Sequence, residues 1–386
     1  MLYFLLPHNF SQTYKYLNYL PHEEGVGEER ASLFLYLREI KQKINTISKE
    51  WEHFKKYTNP YEFIHTYIPN THKCVANLRP LSRSFFKMIE IYQHFQFTFV
   101  SPNIQTFHLA EGPGGFIEAV HHLRRNHRDR YIGMTLQDDT DVNVPGWKKT
   151  GNFLRSHPHV VLENGPDGTG NILSRTNFEY CSSKYAGSMD LVTADGGFDF
   201  TDNFDDQERK MLKLLFAQIS FALSMQKHRG HFVLKIFDIF LLPTLELLFI
   251  LSSFYERVYI TKPDTSRYAN AEKYIVCMNF LPTDFSSCLP YFYNVFCNMI
   301  CTDDHHLHFL SKHPSYYFLS KMEEYNCCFV QQQIETISNT LALVSSRQDE
   351  KPTRLKELVK YNLLKCEQWC IKHNIPFVTL NEFRNE

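Results

Sequence analysis

The chain has 386 residues and a mass of 45.7 kDa, enough for one large domain with extensions or for two ordinary domains. Apolar residues make up 43%, charged residues 22% and aromatics 15%, a globular composition that excludes disorder over most of the length. Lys and Arg number 41 against 42 Asp and Glu, so a polyanion must be held by a local basic patch, and a histone-like packager is excluded.

In chain order, the start MLYFLLPHNF lacks the charged region and small-residue cleavage site of a secretory signal. Residues 28–57 carry Leu33, Leu35, Leu37, Ile40, Ile44 and Ile47 at helical spacing among Glu, Lys and Arg, which predicts one long amphipathic helix ending before Asn59-Pro60. From Ile104 short β-rich runs alternate with helical ones: IQTFHLA, RYIGMTL, HVVLE, MDLVTAD, HFVLKIF, RVYITK and KYIVCMNF are the strands. That alternation predicts a mostly parallel, doubly wound sheet. After Leu281 the pattern turns helical, notably over 316–345 and 353–373. The longest apolar run, Ile236 to Leu251, contains Asp238, Pro243 and Glu246, which argues against a membrane span. Ten cysteines at irregular spacing fit a reduced compartment better than a disulfide framework. The expectation is a soluble intracellular protein.

Four places carry chemistry. In HLAEGPGGF, Gly112, Gly114 and Gly115 follow a strand and open a helix; such a turn lets a ligand approach the backbone, and it also serves as plain turn chemistry. Glu111 and Pro113 in the turn tilt the reading toward a nucleoside ligand without phosphates. Asp195 ends the strand MDLVTAD before two glycines, at the strand edge where ligands of open α/β sheets sit, and capping of a turn is the other reading. Lys235 lies inside the apolar strand HFVLKIF, where an unpaired cation is costly. Lys87, beside Arg83 on an amphipathic segment, reads alone as a surface lysine. Glu272, just before the last strand, reads alone as solvated.

Taken together, lysine before the sheet, aspartate after a middle strand, lysine in the next strand and glutamate at the last strand resemble the FtsJ-like 2'-O-ribose methyltransferases. The resemblance is nearest to cap-specific mRNA enzymes of eukaryotes and large DNA viruses. It is carried by NPYE at Asn59 to Glu62, SRSFFKM around Lys87, AEGPGGF at Ala110 to Phe116, GMTL at Gly133 to Leu136, DGTGNI at Asp167 to Ile172, ADGGF at Ala194 to Phe198, GHFVLKIFD around Lys235, KPDTSRYANAEKYIVC at Lys262 to Cys277, and the tail CEQWCIKHNIP. It implies an α/β fold, a Rossmann-like S-adenosylmethionine (SAM)-dependent methyltransferase sheet with helical N- and C-terminal extensions. The implied division is a helical extension over 1–79 contributing to cap and RNA binding, a methyltransferase domain over 80–281, and a mainly helical extension over 282–386.

The resemblance implies a catalytic tetrad of Lys87, Asp195, Lys235 and Glu272. It implies a SAM pocket of Ser82, Ala110, Glu111, Gly112, Pro113, Gly114, Gly115, Phe116, Asn171 and Ile172. Family members usually have Asn where Ser82 stands and often Asp where Asn171 stands; both departures keep the pocket polar. On the RNA side it implicates Lys55, with Lys56 as the alternative, together with Arg83 and Asn270. The segment between Ile64 and Pro80 looks inserted relative to the family.

The chemistry explains the residue types. Methyl transfer to a ribose 2'-oxygen is an in-line displacement that must align two atoms and remove a proton from a poor acid. An amine serves as base only when neutral, a form that burial and a second cation favour and carboxylates oppose. Lys235 is the expected base, Lys87 the group orienting the hydroxyl, and Asp195 and Glu272 the carboxylates that position the amines. No metal is required, and none is assigned. The expected partner is the 5' end of capped mRNA, with capping or transcription machinery beyond it. Nucleus and infected-cell cytoplasm both stay open, as do methylation of the first and of the second nucleotide. Cap recognition by stacking on aromatic rings has too many candidates among 33 Phe and 22 Tyr to choose one. Methylation of ribosomal or transfer RNA and a non-catalytic RNA-binding scaffold are the competing functions. Cys297, Cys301, His305, His306 and His308 have metal-ligand types but lack paired CxxC knuckles; Cys366, Cys370 and His373 read as a half-buried helix face. The acidic stretch 199–208 is expected at a rim or capping the helix that follows.

Overall fold

The computed structural model describes residues 1–9, 12–21, 32–138, 140–141, 144–197, 207–302 and 307–379. In chain order its elements are β1 (Leu2–Leu5), β2 (Leu17–Pro21), α1 (Ser32–Asn45), α2 (Ser48–Phe54), α3 (Ser84–Phe95), β3 (Gln105–Leu109), α4 (Gly115–Arg124), β4 (Arg130–Met134), α5 (Gly151–Ser156) and β5 (Val160–Leu162). They continue with α6 (Arg175–Lys184), β6 (Met189–Ala194), α7 (Gln207–Met225), β7 (Gln226–Ile236), α8 (Leu242–Phe254), β8 (Tyr255–Lys262), β9 (Lys273–Phe280), α9 (Leu289–Ile300), β10 (Leu307–Leu310), α10 (Tyr316–Ser345) and α11 (Lys351–His373).

Eight strands form the central sheet in the order β1-β8-β9-β7-β6-β3-β4-β5. The strands β5, β4, β3, β6 and β7 run parallel, as the helix-strand alternation requires. β9 is antiparallel to both its neighbours, because no crossover helix separates it from β8, only the loop 263–272.

Alternation along the strands divides the core. Phe107, Val192, Ala194, Phe232, Leu234 and Ile275 pack on one face with α7 and α8. Leu191, Val233, Tyr274 and Val276 pack on the other, with Phe85, Phe86 and Ile89 of α3 and Cys366 and Trp369 of α11. Side chains that follow Val233 and precede Val276 by two therefore lie on the α3 face.

Two expectations are corrected. The single helix over 28–57 is two helices in its described part: Thr46 Oγ1 donates to Lys43 O at 2.9 Å, the local competition that weakens threonine inside helices, and Ile47 leaves helical geometry at φ −132°, ψ 32°. Leu37, Ile40 and Trp51 still bury together against Val330, Ile334 and Ile337 of α10, whereas Leu35 stays 50% exposed. The N-terminal extension is also not purely helical. β1 closes the edge of the main sheet against β8, and β2 pairs with β10. Among the described residues no helix is long and apolar enough to cross a membrane.

Candidate active site

Sheet register builds the centre. Ala194 pairs with Leu234 across the parallel β6-β7 edge, so Asp195 follows at the level of Lys235. Lys235 in turn stands opposite Tyr274 on β9, and directly opposed strand residues present their side chains on one face. Glu272, two residues before Tyr274, shares that face. α3 crosses above and delivers Lys87.

The four predicted catalytic residues meet as two linked ion pairs. Lys87 Nζ lies 2.6 Å from Glu272 Oε1, and Lys235 Nζ lies 3.3 Å from Asp195 Oδ1. Lys235 also donates to the Asp195 carbonyl at 2.6 Å. The Tyr274 hydroxyl joins the pairs, 3.1 Å from Asp195 Oδ1 and 3.4 Å from Glu272 Oε1, while Ser266 Oγ donates to Glu272 Oε1 at 2.9 Å.

Burial pulls Lys87 below the ordinary lysine value, opposed by Glu272. Burial likewise works against ionisation of Glu272, but Lys87, Lys235 and Arg83 outweigh it and hold the carboxyl well below the usual range. Burial and the neighbouring Asp195 push the Tyr274 hydroxyl well up, so it stays a neutral donor. Taken alone Lys87 reads as a surface lysine, but as its place in the tetrad requires it is only 4% exposed, with α11 and the segment after α2 covering α3.

The loop 263–272 is held from three sides. Glu90, one turn after Lys87, accepts from the amides of Asp264 at 2.7 Å and Thr265 at 2.8 Å. Burial, followed by the charge of Asp264, pushes Glu90 up to about 7. Glu62 of NPYE accepts from Asn59 Nδ2 at 2.7 Å and Arg267 Nε at 2.9 Å; its burial is outweighed by Arg267, which brings the carboxyl down to about 2. Lys262 is buried and donates to the Asn270 carbonyl at 2.7 Å, to Asn270 Oδ1 at 3.0 Å and to the Glu272 carbonyl at 2.8 Å. Asn270 is therefore a fixed part of this loop.

The glycine turn lies at the carboxyl ends of β3 and β4. Glu111 is buried, and its Oε1 accepts from the amides of Phe116 and Ile117 at the start of α4, while Oε2 lies 3.0 Å from His108 Nδ1. A carboxylate of the chain thus fills the place where a helix N-terminus would hold a ligand phosphate. A Cβ at Gly112 would sit 2.4 Å from the main-chain oxygen of Gly146, so that close approach requires glycine, and one at Gly115 would sit 2.2 Å from the side-chain oxygen of Ser82. Ser82 Oγ is 2.5 Å from Ser84 Oγ, and Ala110 N donates to Met134 O at 2.7 Å. Pro113 O accepts from Thr150 Oγ1 at 2.7 Å, and Gly114 turns the chain into α4 at φ 104°. Phe116 points into the core, leaving its backbone for the turn. Across the edge, Asn171 Oδ1 accepts from Leu173 N at 2.9 Å, and Ile172 is buried.

Glycines, a pre-filled helix start and flanking polar groups fit an adenosyl donor that carries a sulfonium and no phosphate. Trp147 adds a wall that the sequence reading missed. Its ring is 3.4 Å from the position of a Gly114 Cβ, and its buried Nε1 has no partner.

Of the residues implicated on the RNA side, Arg83 immediately precedes α3 and adds positive charge beside Lys87, Glu272 and Tyr274. Lys55 pairs with Glu52 at 2.5 Å, and Lys56 lies 5.2 Å from the Tyr57 ring centroid; neither makes a hydrogen bond or ion pair with the four central residues. His305, His306 and 199–206 lie outside the described residues. Glu208, the described end of that stretch, accepts from the amides of Phe240 and Leu241, both at 3.0 Å. His308 lies 3.2 Å from Glu246, and Cys366, Cys370 and His373 are buried rather than half-buried. Among the described residues no three His, Cys, Asp or Glu side chains are grouped to hold a metal.

A family model described as FtsJ-like methyltransferase matches residues 80–280. The chain is 28% identical over 258 residues to a cap-specific mRNA (nucleoside-2'-O-)-methyltransferase 2 of Drosophila melanogaster, covering 63% of this chain and 36% of that protein. A Mus musculus protein of the same name is 27% identical over 345 residues, covering 84% and 44%. A cap-specific mRNA (nucleoside-2'-O-)-methyltransferase 1 of Trypanosoma cruzi is 36% identical over 176 residues, covering 45% and 47%. The chain thus spans less than half the length of each of these relatives.

Proposed function

Because the chain belongs to the FtsJ-like methyltransferases, we propose that it methylates the ribose 2'-hydroxyl of the first or second transcribed nucleotide of capped mRNA. The observation that carries this reading is the convergence of Lys87, Asp195, Lys235 and Glu272 on one face at the carboxyl edge of the sheet. The names of the relatives supply the capped substrate.

When bound, SAM supplies an electrophilic methyl group on a sulfonium. Ser82, Ala110 to Phe116, Asn171 and Ile172 would hold it, with Trp147 as the added wall. Lys235, in its neutral form, takes the 2'-hydroxyl proton as the oxygen attacks, in the role of general base. Asp195 fixes the Lys235 amine through its carboxylate and carbonyl. Lys87 donates to the attacking oxygen and is itself anchored by Glu272. Arg83 draws a neighbouring phosphate, Asn270 lines the ribose side, and Lys55 or Lys56 meets the cap-proximal RNA.

The test is methyl transfer from radiolabelled SAM to short RNAs that differ only at the 5' end: N7-methylated cap, unmethylated cap and triphosphate. Label in a cap-adjacent 2'-O-methyl group, on capped RNA alone, supports the proposal. Label on uncapped RNA moves the assignment to ribosomal or transfer RNA, and SAM binding without label leaves a non-catalytic scaffold.

A further inference from the structure

The segments around β2 and β10 share an unusual composition. Residues 1–21 and 307–322 contain no Asp or Glu, yet they carry Lys15, Lys312, His8 and His313 and the tyrosines Tyr14, Tyr16, Tyr316 and Tyr317; Lys321 is paired with Glu324, 2.7 Å away. In a chain with net charge −1 this is a local cationic, aromatic patch. The fold brings the two segments together through the antiparallel pairing of β2 with β10.

A cleft of about 300 Å³ opens between them, lined by His8, Tyr16, Phe249, Lys312, His313 and Tyr317 among others. Lys312 Nζ lies 5.2 Å from the Tyr16 ring centroid and has no ion pair among the described residues. Tyr16 is 40%, Tyr317 63% and Tyr316 86% exposed, whereas most large aromatics here are buried. None of the described lining residues is acidic.

We propose that this cleft is a second nucleotide-binding site that takes a unit of single-stranded RNA, the base against the exposed tyrosines and the phosphate toward Lys312 and His313. Sequence-tolerant single-strand sites combine a cationic groove with exposed aromatic rings in this way. Place in the fold agrees. β1 starts at Leu2, paired with Lys262 beside the catalytic loop, and runs away from it to Leu5, so the residues that follow, His8 among them, lie beyond the end of β1 that is remote from that loop. RNA held there is bound beyond the reacting nucleotide. The choice of RNA as occupant rests on the function proposed above.

The experiment uses the full chain and a short single-stranded RNA carrying 4-thiouridine, with crosslink mapping and fluorescence anisotropy on wild type, Tyr317→Ala and Lys312→Gln. Tyr361→Ala, another exposed tyrosine, is the control. Crosslinks are expected at Tyr16 or Tyr317, with affinity lowered roughly 5- to 100-fold by Tyr317→Ala and a shallower salt dependence in Lys312→Gln. Turnover of the shortest capped substrate should not change in either variant.

Crosslinks confined to the catalytic side, or unchanged affinity in both variants, overturn the site. Binding of AMP without binding of RNA overturns the RNA occupant, as does equal competition by a polyglutamate peptide. Crosslinking at the cleft in a chain that transfers no methyl group to any RNA supports the site while defeating the proposed function, so the two fail separately.

Discussion

Lys235 touches Asp195 twice, through the side-chain oxygen at 3.3 Å and through the main-chain carbonyl at 2.6 Å. The second contact needs no charge on the partner, so the amine keeps its position when the carboxylate is altered. Removing the amine itself is a different matter. Lys235→Ala is expected to cut turnover at least about 10²-fold, the low end of a general base's contribution, while SAM affinity holds. Single-turnover methyl transfer beside calorimetric SAM binding checks this, and loss of both together would assign Lys235 to the fold instead.

Tyr274 is the link between the two ion pairs. Tyr274→Phe keeps the ring against Phe116, 5.9 Å between centroids, and removes only the hydroxyl that meets Asp195 and Glu272. Loss of one hydrogen bond to charged groups costs about 1.5–3 kcal/mol, shared between stability and alignment of the lysines. Turnover should fall roughly tenfold with little change in KM for either substrate. Thermal melts measured beside kcat separate the shares, and a variant that keeps full kcat would remove Tyr274 from the positioning network.

Glu62 and Arg267 pin the catalytic loop from the side of the N-terminal segment. Arg267 is half-buried and Glu62 nearly closed off, so deleting the cation strands a buried carboxylate. Arg267→Ala is expected to cost about 3–5 kcal/mol and to loosen the loop that carries Glu272. With Glu62 held at about 2 against the ordinary 4.5, the clamp contributes fully above pH 4.5 and is lost as pH falls toward 2. Acid titration of unfolding midpoints should show that limb in wild type and not in Glu62→Gln.

These contacts differ in how far the sequence exposes them. Lys235 stands out because a cation interrupts an apolar strand, and Asp195 because two glycines follow a strand end. Lys87 does not, since α3 is buried by α11, far along the chain, and a helix pattern cannot show that a distant helix covers it. Tyr274 obeys the two-residue strand period from Glu272, yet a buried tyrosine in an apolar strand looks like ordinary core. The hold of Glu90 on Asp264 and Thr265 joins positions separated by 174 and 175 residues, a contact no local pattern encodes. β1 was invisible because LYFL has no turn signals, and only pairing with β8 makes it a strand.

A histidine cluster on the far side of α4 makes the acid side of the stability curve testable. His121 lies 4.3 Å from His157 and 5.1 Å from His159 between ring centroids. Burial first, then these neighbours, brings His121 down to about 4, and burial with His157 lowers His159 as well. The unfolded chain, with histidines near 6.5, binds more protons than the folded one below that value. The cluster's contribution is therefore complete above pH 6.5 and lost as pH falls through 4. Glu90 and Glu208, both pushed up to about 7, act with the opposite sign, favouring the fold below 4.5 and losing that advantage as pH rises through 7. The net curve mixes the two, so the informative quantity is a difference. His121→Phe keeps an aromatic ring against Tyr131 and Phe153 and removes the titration. Its urea midpoint should fall less than that of wild type between neutral pH and about pH 4.5. Parallel curves for the two proteins would show that the cluster carries no proton-linked stability.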